Sequence, residues 1–242
     1  MGEAAAKGDS MENASSFDIG PFAEGEGLDL SAIPQPAEVD AAWCLRFLRA
    51  IRDVSFATVD ADGRPSVRII DVMMVTADKL YFLAPRGKAF HEDIVREGYV
   101  AIVGQTPDYR TCRLRGPVSR PEASEQRALV DAIFELNPSM NLIYPNDARY
   151  ICDVFCIENG EGEYFDLGQK PIFRKPFRLG DAAADEKGTF LITDACIGCG
   201  TCAARCPEQC IAPGVPYVIN QSHCLRCGIC DEACPVQAIA KR

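Results

Sequence analysis

The sequence predicts a mainly β, antiparallel domain followed by a small α+β unit built around cysteine. Short runs rich in Val, Ile and aromatic residues are joined by tight turns over the first two thirds of the chain, which favours consecutive antiparallel pairing over a parallel sheet. Nine of the 13 cysteines fall between positions 196 and 234. The length, 242 residues with 48% apolar side chains, suits one large domain or two smaller ones.

Residues 1–35 are rich in Gly, Ala, Ser and acids. They carry too few large apolar groups to offset chain entropy, so a disordered acidic arm is expected. Residues 36–167 form the first domain. A helix begins at Pro36, which suits a first turn; Ala41, Cys44, Leu45, Leu48 and Ile51 recur at helical spacing. The period then changes to that of strands over Ser55–Val59, Val67–Val75 and Leu80–Leu83, with turns at 60–63 and 77–78. A short helix spans Gly87–Glu97, strands follow at Tyr99–Val103 and Thr111–Val118, and Pro121–Leu136 reads as an amphipathic helix. Strands Ile151–Ile157 and Glu163–Leu167 flank a turn at 158–162. Residues 168–187 read as a linker with one docking strand, and 188–242 as the cysteine unit.

The net charge of −10 is local, because residues 1–40 hold nine acids and one base. The remainder is nearly balanced, so nucleic acid is not an expected partner. No run of 18 apolar residues is present and the N-terminus lacks a signal-peptide pattern, so neither a membrane span nor export is expected and a cytoplasmic location is.

In the cysteine unit, Cys196-x2-Cys199-x2-Cys202-x3-Cys206-Pro207 is repeated 28 residues later as Cys224-x2-Cys227-x2-Cys230-x3-Cys234-Pro235. Gly200 matches Gly228, Gln209 matches Gln237, and Ile211-Ala212 matches Ile239-Ala240, so the unit is an internal duplication. Three thiolates at this spacing wrap one face of an iron–sulfur cube, and the fourth cysteine of each run ligates the other cluster. That assigns Cys196, Cys199, Cys202 and Cys234 to one [4Fe–4S] cluster, and Cys206, Cys224, Cys227 and Cys230 to a second. A zinc site would need four ligands as two separated pairs. The run resembles the bacterial two-cluster ferredoxins. Cys210 faces Ala238 in the repeat and reads as buried filler, as do Cys44, Cys112, Cys152 and Cys156 in the first domain.

The stretches Phe56–Val59, Gly63–Ile70, Leu80–Leu83, Lys88-Ala89 and Leu114–Val118 resemble the pyridoxamine 5′-phosphate oxidase-like split barrel over about residues 38–167. The resemblance implies an antiparallel six-stranded barrel paired in a homodimer, with FMN at the subunit interface. Arg68, and Lys88 at the start of a helix, offer fixed charge for the phosphate. By the family pattern the backbone of Arg68, Ile69, Ile70 and Asp71 follows the flavin's pyrimidine edge, Leu83 and Ala84 lie near the ring, and Thr111 turns toward it. The chain departs from the true oxidases at Met73, where they place a lysine, and in Pro121–Leu136, which lacks their Tyr/Arg/Ser phosphate cluster. Pyridoxamine phosphate is therefore not the expected substrate.

Tyr109, Arg110, Arg113 and Arg115 are candidate substrate contacts. His91 reads as a solvated helix residue and His223 as a surface one. No nucleophile–base triad, Walker motif or carboxylate pair marks a catalytic acid or base. Clusters move single electrons, whereas a flavin collects two. The expectation is a flavin-dependent reductase of a small organic substrate, supplied by an external electron-donor protein and suited to an anaerobic cytoplasm. Its rivals are a non-catalytic electron carrier or redox sensor, and a barrel holding haem or F420 in place of FMN.

Overall fold

In the computed structural model, residues 33, 38–182 and 189–242 are described. Most of the arm, and Pro36, lie outside them. Helix α1 (Ala41–Ile51) starts later than the sequence suggests, because Asp40 caps it by accepting the Trp43 N–H at 2.7 Å.

Strands β1 (Asp53–Val59), β2 (Pro65–Asp71), β3 (Met74–Val75) and β4 (Leu80–Pro85) follow. Then come α2 (Ala89–Glu97), β5 (Tyr99–Gln105), β6 (Arg110–Pro117), α3 (Ala123–Leu136), the short α4 (Met140–Ile143), and a 3-10 turn at Asn146–Ile151. Strands β7 (Cys152–Ile157), β8 (Gly160–Asp166) and β9 (Phe173–Leu179) complete the region. All pairings are antiparallel, in a six-stranded sheet ordered β2-β1-β5-β6-β8-β9 and a three-stranded sheet ordered β3-β4-β7. The two sheets wrap one core in a split-barrel arrangement, the mainly β, antiparallel class that the sequence predicts.

Three expectations change in detail. The run Val67–Val75 is not one strand: it breaks at Val72 and Met73, where the chain crosses from the large sheet to the small one. A buried latch holds that crossing. Arg49 donates to the Val72 carbonyl at 2.6 Å and to Asn137 at 2.8 Å, while Asn137 donates to the Met73 carbonyl at 2.9 Å. Strand β8 begins at Gly160, inside the expected turn. Strand β9, within the expected linker, pairs with β8 from Gly160↔Leu179 to Asp166↔Phe173 and is a full member of the large sheet.

Alternation places the core. Phe56, Phe82, Leu114 and Tyr164 point between the sheets, and α1 covers them with Leu45, Phe47 and Leu48. Trp43 stacks on Phe47 and meets Tyr164 edge-on, with ring centroids 5.0 Å apart in both cases. Strands β4 and β7 are buried on both faces, since Tyr81, Leu83, Cys152, Val154 and Cys156 pack under Val130, Ile133 and Phe134 of α3. Met73 belongs to this second core.

The cysteine unit comprises β10 (Phe190–Ile192), α5 (Thr201–Arg205), β11 (Ile211–Ala212), β12 (Val218–Ile219), a 3-10 turn at Gln221–His223, α6 (Ile229–Glu232) and β13 (Ile239–Lys241). The duplication is interlocked: β10 of the first half pairs with β13 of the second, and β11 of the first with β12 of the second.

Candidate cluster centre and the adjoining sheet face

The backbone of the cysteine unit repeats as its sequence does. Positive φ recurs at Gly198 and Arg226, at Gly200 and Gly228, and at Gln209 and Gln237. These left-handed positions turn successive amides toward sulfur: Gly198 N–H donates to Cys196 Sγ at 3.4 Å, and Arg226 N–H to Cys224 Sγ at 3.3 Å. Ala238 N–H likewise donates to Cys234 Sγ at 3.2 Å.

Cys196, Cys199 and Cys202 of the first run and Cys234 of the second line one concavity, together with Ile192, Tyr217 and Ile239. Among the described residues no three Cys, His or acidic side chains converge on a single-ion site. Thiolates surrounding a space, with amides aimed at sulfur, suit a four-iron cube rather than one zinc ion. In the second set, Cys224 and Cys230 are buried with Cys206 packed against them, and Cys227 is exposed as Cys199 is. Burial pushes the Cys230 thiol up to about 11, whereas the Thr201 hydroxyl, 3.4 Å from Cys199 Sγ, lowers that thiol. Cys210 is buried, its sulfur 3.5 Å from that of Cys206. Cys44, Cys112, Cys152 and Cys156 are packing residues.

Residues 190–212 and 217–240 match the family model of the 4Fe-4S binding domain. The C-terminal unit is a 4Fe–4S ferredoxin-type domain, and its chemistry is iron–sulfur electron transfer. Nothing among the curated proteins matches the chain. Solved structures similar to it include a NimC/NimA family protein from Clostridium acetobutylicum, at 24% identity and TM-score 0.48, covering 56% of this chain and 89% of that one. A pyridoxamine 5′-phosphate oxidase-related, FMN binding protein from Nostoc punctiforme shows 19% identity and TM-score 0.45, covering 57% and 85%. A heme binding protein from Mycobacterium smegmatis shows 15% identity and TM-score 0.47, covering 63% and 64%.

On the large sheet, the register sorts the expected flavin residues by face. Arg68 pairs with Phe56 and points inward, where its guanidinium bonds to the hydroxyls of Thr58 (2.6 Å) and Ser66. It lies 4.9 Å over the Phe90 ring at the start of α2 and 3.4 Å from buried Asp93. Lys88 is exposed immediately before α2. Ile69 is exposed on the outer face, Ile70 is half-buried, and Asp71 pairs with Arg52 at 3.2 Å. Leu83 and Ala84 are buried within their own chain. Thr111 lies on the outer face, its hydroxyl 3.4 Å from the Phe165 carbonyl. Arg68 and Thr111 therefore stand on opposite faces of one sheet.

The remaining candidates are mostly engaged. Arg110 is buried and donates to the Ile33 carbonyl at 2.6 Å, which also docks that one residue of the arm. Arg115 pairs with Glu161, and Tyr109 is exposed. His91 is not solvated: its ring nitrogen lies 2.8 Å from Asp153, which Arg86 and Arg120 also engage at 3.0 Å. These partners hold the Asp153 carboxyl below its usual range against the opposing effect of burial. His223 is likewise not a free surface residue, its Nδ1 lying 2.7 Å from the Ile172 carbonyl.

Sequence reasoning missed the join between the two units. Buried Glu163 of β8 receives Arg113 (3.0 Å), Arg174 and Arg226 (3.1 Å) together. Arg174 also donates to the Cys224 carbonyl at 3.2 Å and lies 4.4 Å over the Phe165 ring. Glu208, two residues after Cys206, pairs with Lys170 at 3.2 Å and accepts from Ile172 N–H. The loop of the second cysteine set is therefore joined through Arg174 and Glu163 to the outer sheet face, the face that also carries Phe165 and its strand partner Thr111.

Proposed function

We propose that the chain is a flavin-dependent reductase in which the two-cluster unit supplies electrons to FMN held by the sheet region, for reduction of a small organic substrate. The observation that carries this reading is the docking just described. Cys224 is tied through Arg174 to Phe165, next to Thr111, the residue that the family resemblance turns toward the flavin.

The donor set fits a phosphate monoester. Arg68, the Ser66 and Thr58 hydroxyls, Lys88 and the free amides opening α2 together supply charge and N–H groups. Asp93 holds the guanidinium in place and would share it with a phosphate. When bound, FMN supplies the step between one- and two-electron chemistry. Because Arg68 and Thr111 face opposite ways, the reading requires a second copy: one protomer's Arg68 and Lys88 hold the phosphate while its partner presents Thr111. The outer face offers apolar surface for that contact, with Val67 and Ile69 of β2 and Val103 of β5 exposed on the two strands that flank β1. The reading keeps an external electron-donor protein and a cytoplasmic setting. No helix among the described residues is long and apolar enough to cross a membrane.

Anaerobic purification followed by extraction and chromatography of the released cofactor tests the proposal. FMN should be recovered, with flavin bands near about 370 and 450 nm that bleach when electrons enter through the clusters. Recovery of haem or F420 would replace the cofactor and overturn the FMN reading. A protein that takes up no cofactor beyond its clusters would be an electron carrier or sensor.

A further inference from the structure

The duplication is broken at one telling position. Gly198 of the first run corresponds to Arg226 of the second, and both adopt positive φ, +70° and +58°. Glycine tolerates that conformation freely, whereas a residue bearing a Cβ is strained in it. Strain of this kind persists where surrounding contacts over-determine it, and it is a pointer to function. Arg226 has such contacts. It lies in the loop between Cys224 and Cys227, its guanidinium reaches buried Glu163 at 3.1 Å, and its Nε is buried with no partner in the structure.

We propose that Arg226 is a positioning residue that makes the second cysteine set (Cys206, Cys224, Cys227, Cys230) the preferred seat of an electron shared between the two clusters. The proposal rests on the two-cluster reading and needs no flavin. Reduction adds negative charge to a cluster, so fixed positive charge in a desolvated site favours the reduced form. Around the second set, Arg113, Arg174, Arg226 and Lys170 stand against the carboxylates of Glu163 and Glu208. Asp231 and Glu232, on α6, are exposed and screened by solvent. At the first set the corresponding loop carries no side-chain charge at Gly198. Its compensating feature is the neutral Thr201 hydroxyl on Cys199, and a neutral hydrogen bond is weaker than a charged one. Since the second set is also the one clasped to the sheet, the gradient points an electron from the first set toward the sheet face.

The full-length protein, reconstituted to about eight irons per chain, is titrated anaerobically with dithionite and followed by electron paramagnetic resonance. Cys196→Ser and Cys206→Ser variants assign each signal to its cluster. The second cluster should reduce first. Arg226→Gly, which restores the residue of the duplicate, should lower the ratio of second to first cluster reduced by about tenfold, equal to 59 mV for a one-electron couple. Arg226→Lys should retain most of the bias. If Arg226→Gly keeps its iron and the ratio does not move, or if the first cluster reduces first in the native protein, the proposal is overturned. Fewer than about eight irons in the fully reconstituted native protein would instead overturn the two-cluster reading itself.

Discussion

In the sheet region, Phe47, Phe56, Phe82 and Tyr164 are fully buried among more than a dozen other apolar side chains. In the cysteine unit, four of the eight buried core residues are cysteines: Cys202, Cys210, Cys224 and Cys230. The first region thus rests on hydrophobic burial and the second on ligation. A unit this small lacks the apolar volume to fold by burial alone, and metal binding then becomes folding free energy. The difference also separates where cofactors matter. The candidate cluster ligands make up much of the small core of the second region, whereas of the flavin candidates of the first only Leu83 and Ala84 lie in its core.

Stripping the clusters gives the largest expected effect and the sharpest break between the regions. Trp43 is the only tryptophan and sits in the aromatic core of the sheet region. On anaerobic chelation the cysteine unit should lose its secondary structure, seen as a drop in circular dichroism. The Trp43 fluorescence and its unfolding transition should persist. Cys206→Ser should remove the cluster whose other ligands are Cys224, Cys227 and Cys230, while Cys210→Ala should leave both. Collapse of the Trp43 signal together with the clusters would show that the regions fold as one.

Next in size is the phosphate site. Arg68→Ala or Lys88→Ala removes a charge-assisted contact worth roughly 1.5–3 kcal/mol. FMN affinity should fall by about 10- to 100-fold per residue, measured by flavin fluorescence quenching, with iron content and Trp43 fluorescence unchanged. Arg68 and Lys88 variants that bind FMN like the native protein would place the phosphate elsewhere.

The contrast between the regions also explains what could be read from sequence. The 4Fe–4S domain was legible because ligation imposes spacing, and the duplication repeats it. Strands β1, β5 and β6 were legible because buried Phe56, Ile102 and Leu114 alternate with half-buried or exposed neighbours. The break at Val72 and Met73 was hidden because the crossing itself is buried, so the apolar run continues through it. Strand β9 was hidden by Arg174, Pro176 and Arg178 on its outer side and by Lys175 between the inward residues, although Phe177 and Leu179 pack inward. The clasp on Glu163 left no local signal, since its arginines come from β6, β9 and the second cysteine loop. One clue was present: an arginine at position 226 where the repeat has glycine.

The smallest effect belongs to the edge of the sheet, where β1 and β2 set Asp53 opposite Asp71. The hydrogen bond to Asp71, then burial, then the Asp71 charge push the Asp53 carboxyl up to about 6, with Arg52 opposing. A carboxyl whose pKa is raised on folding binds its proton more tightly in the native state. It therefore adds stability that is full below about pH 4 and is lost as pH rises through about 6. Asp53→Asn keeps a hydrogen-bond donor toward Asp71 without the second charge. The variant should match or exceed the native sheet region in stability at pH 7–8 and show a flatter profile between pH 4 and 7. Because Asp53 is exposed, solvent screening keeps the effect below about 1 kcal/mol. Denaturant midpoints followed through Trp43 fluorescence isolate this change from any in the cysteine unit. A native profile already flat across that window, or a variant less stable at pH 7.5, would show that Asp71 does not hold the Asp53 carboxyl up.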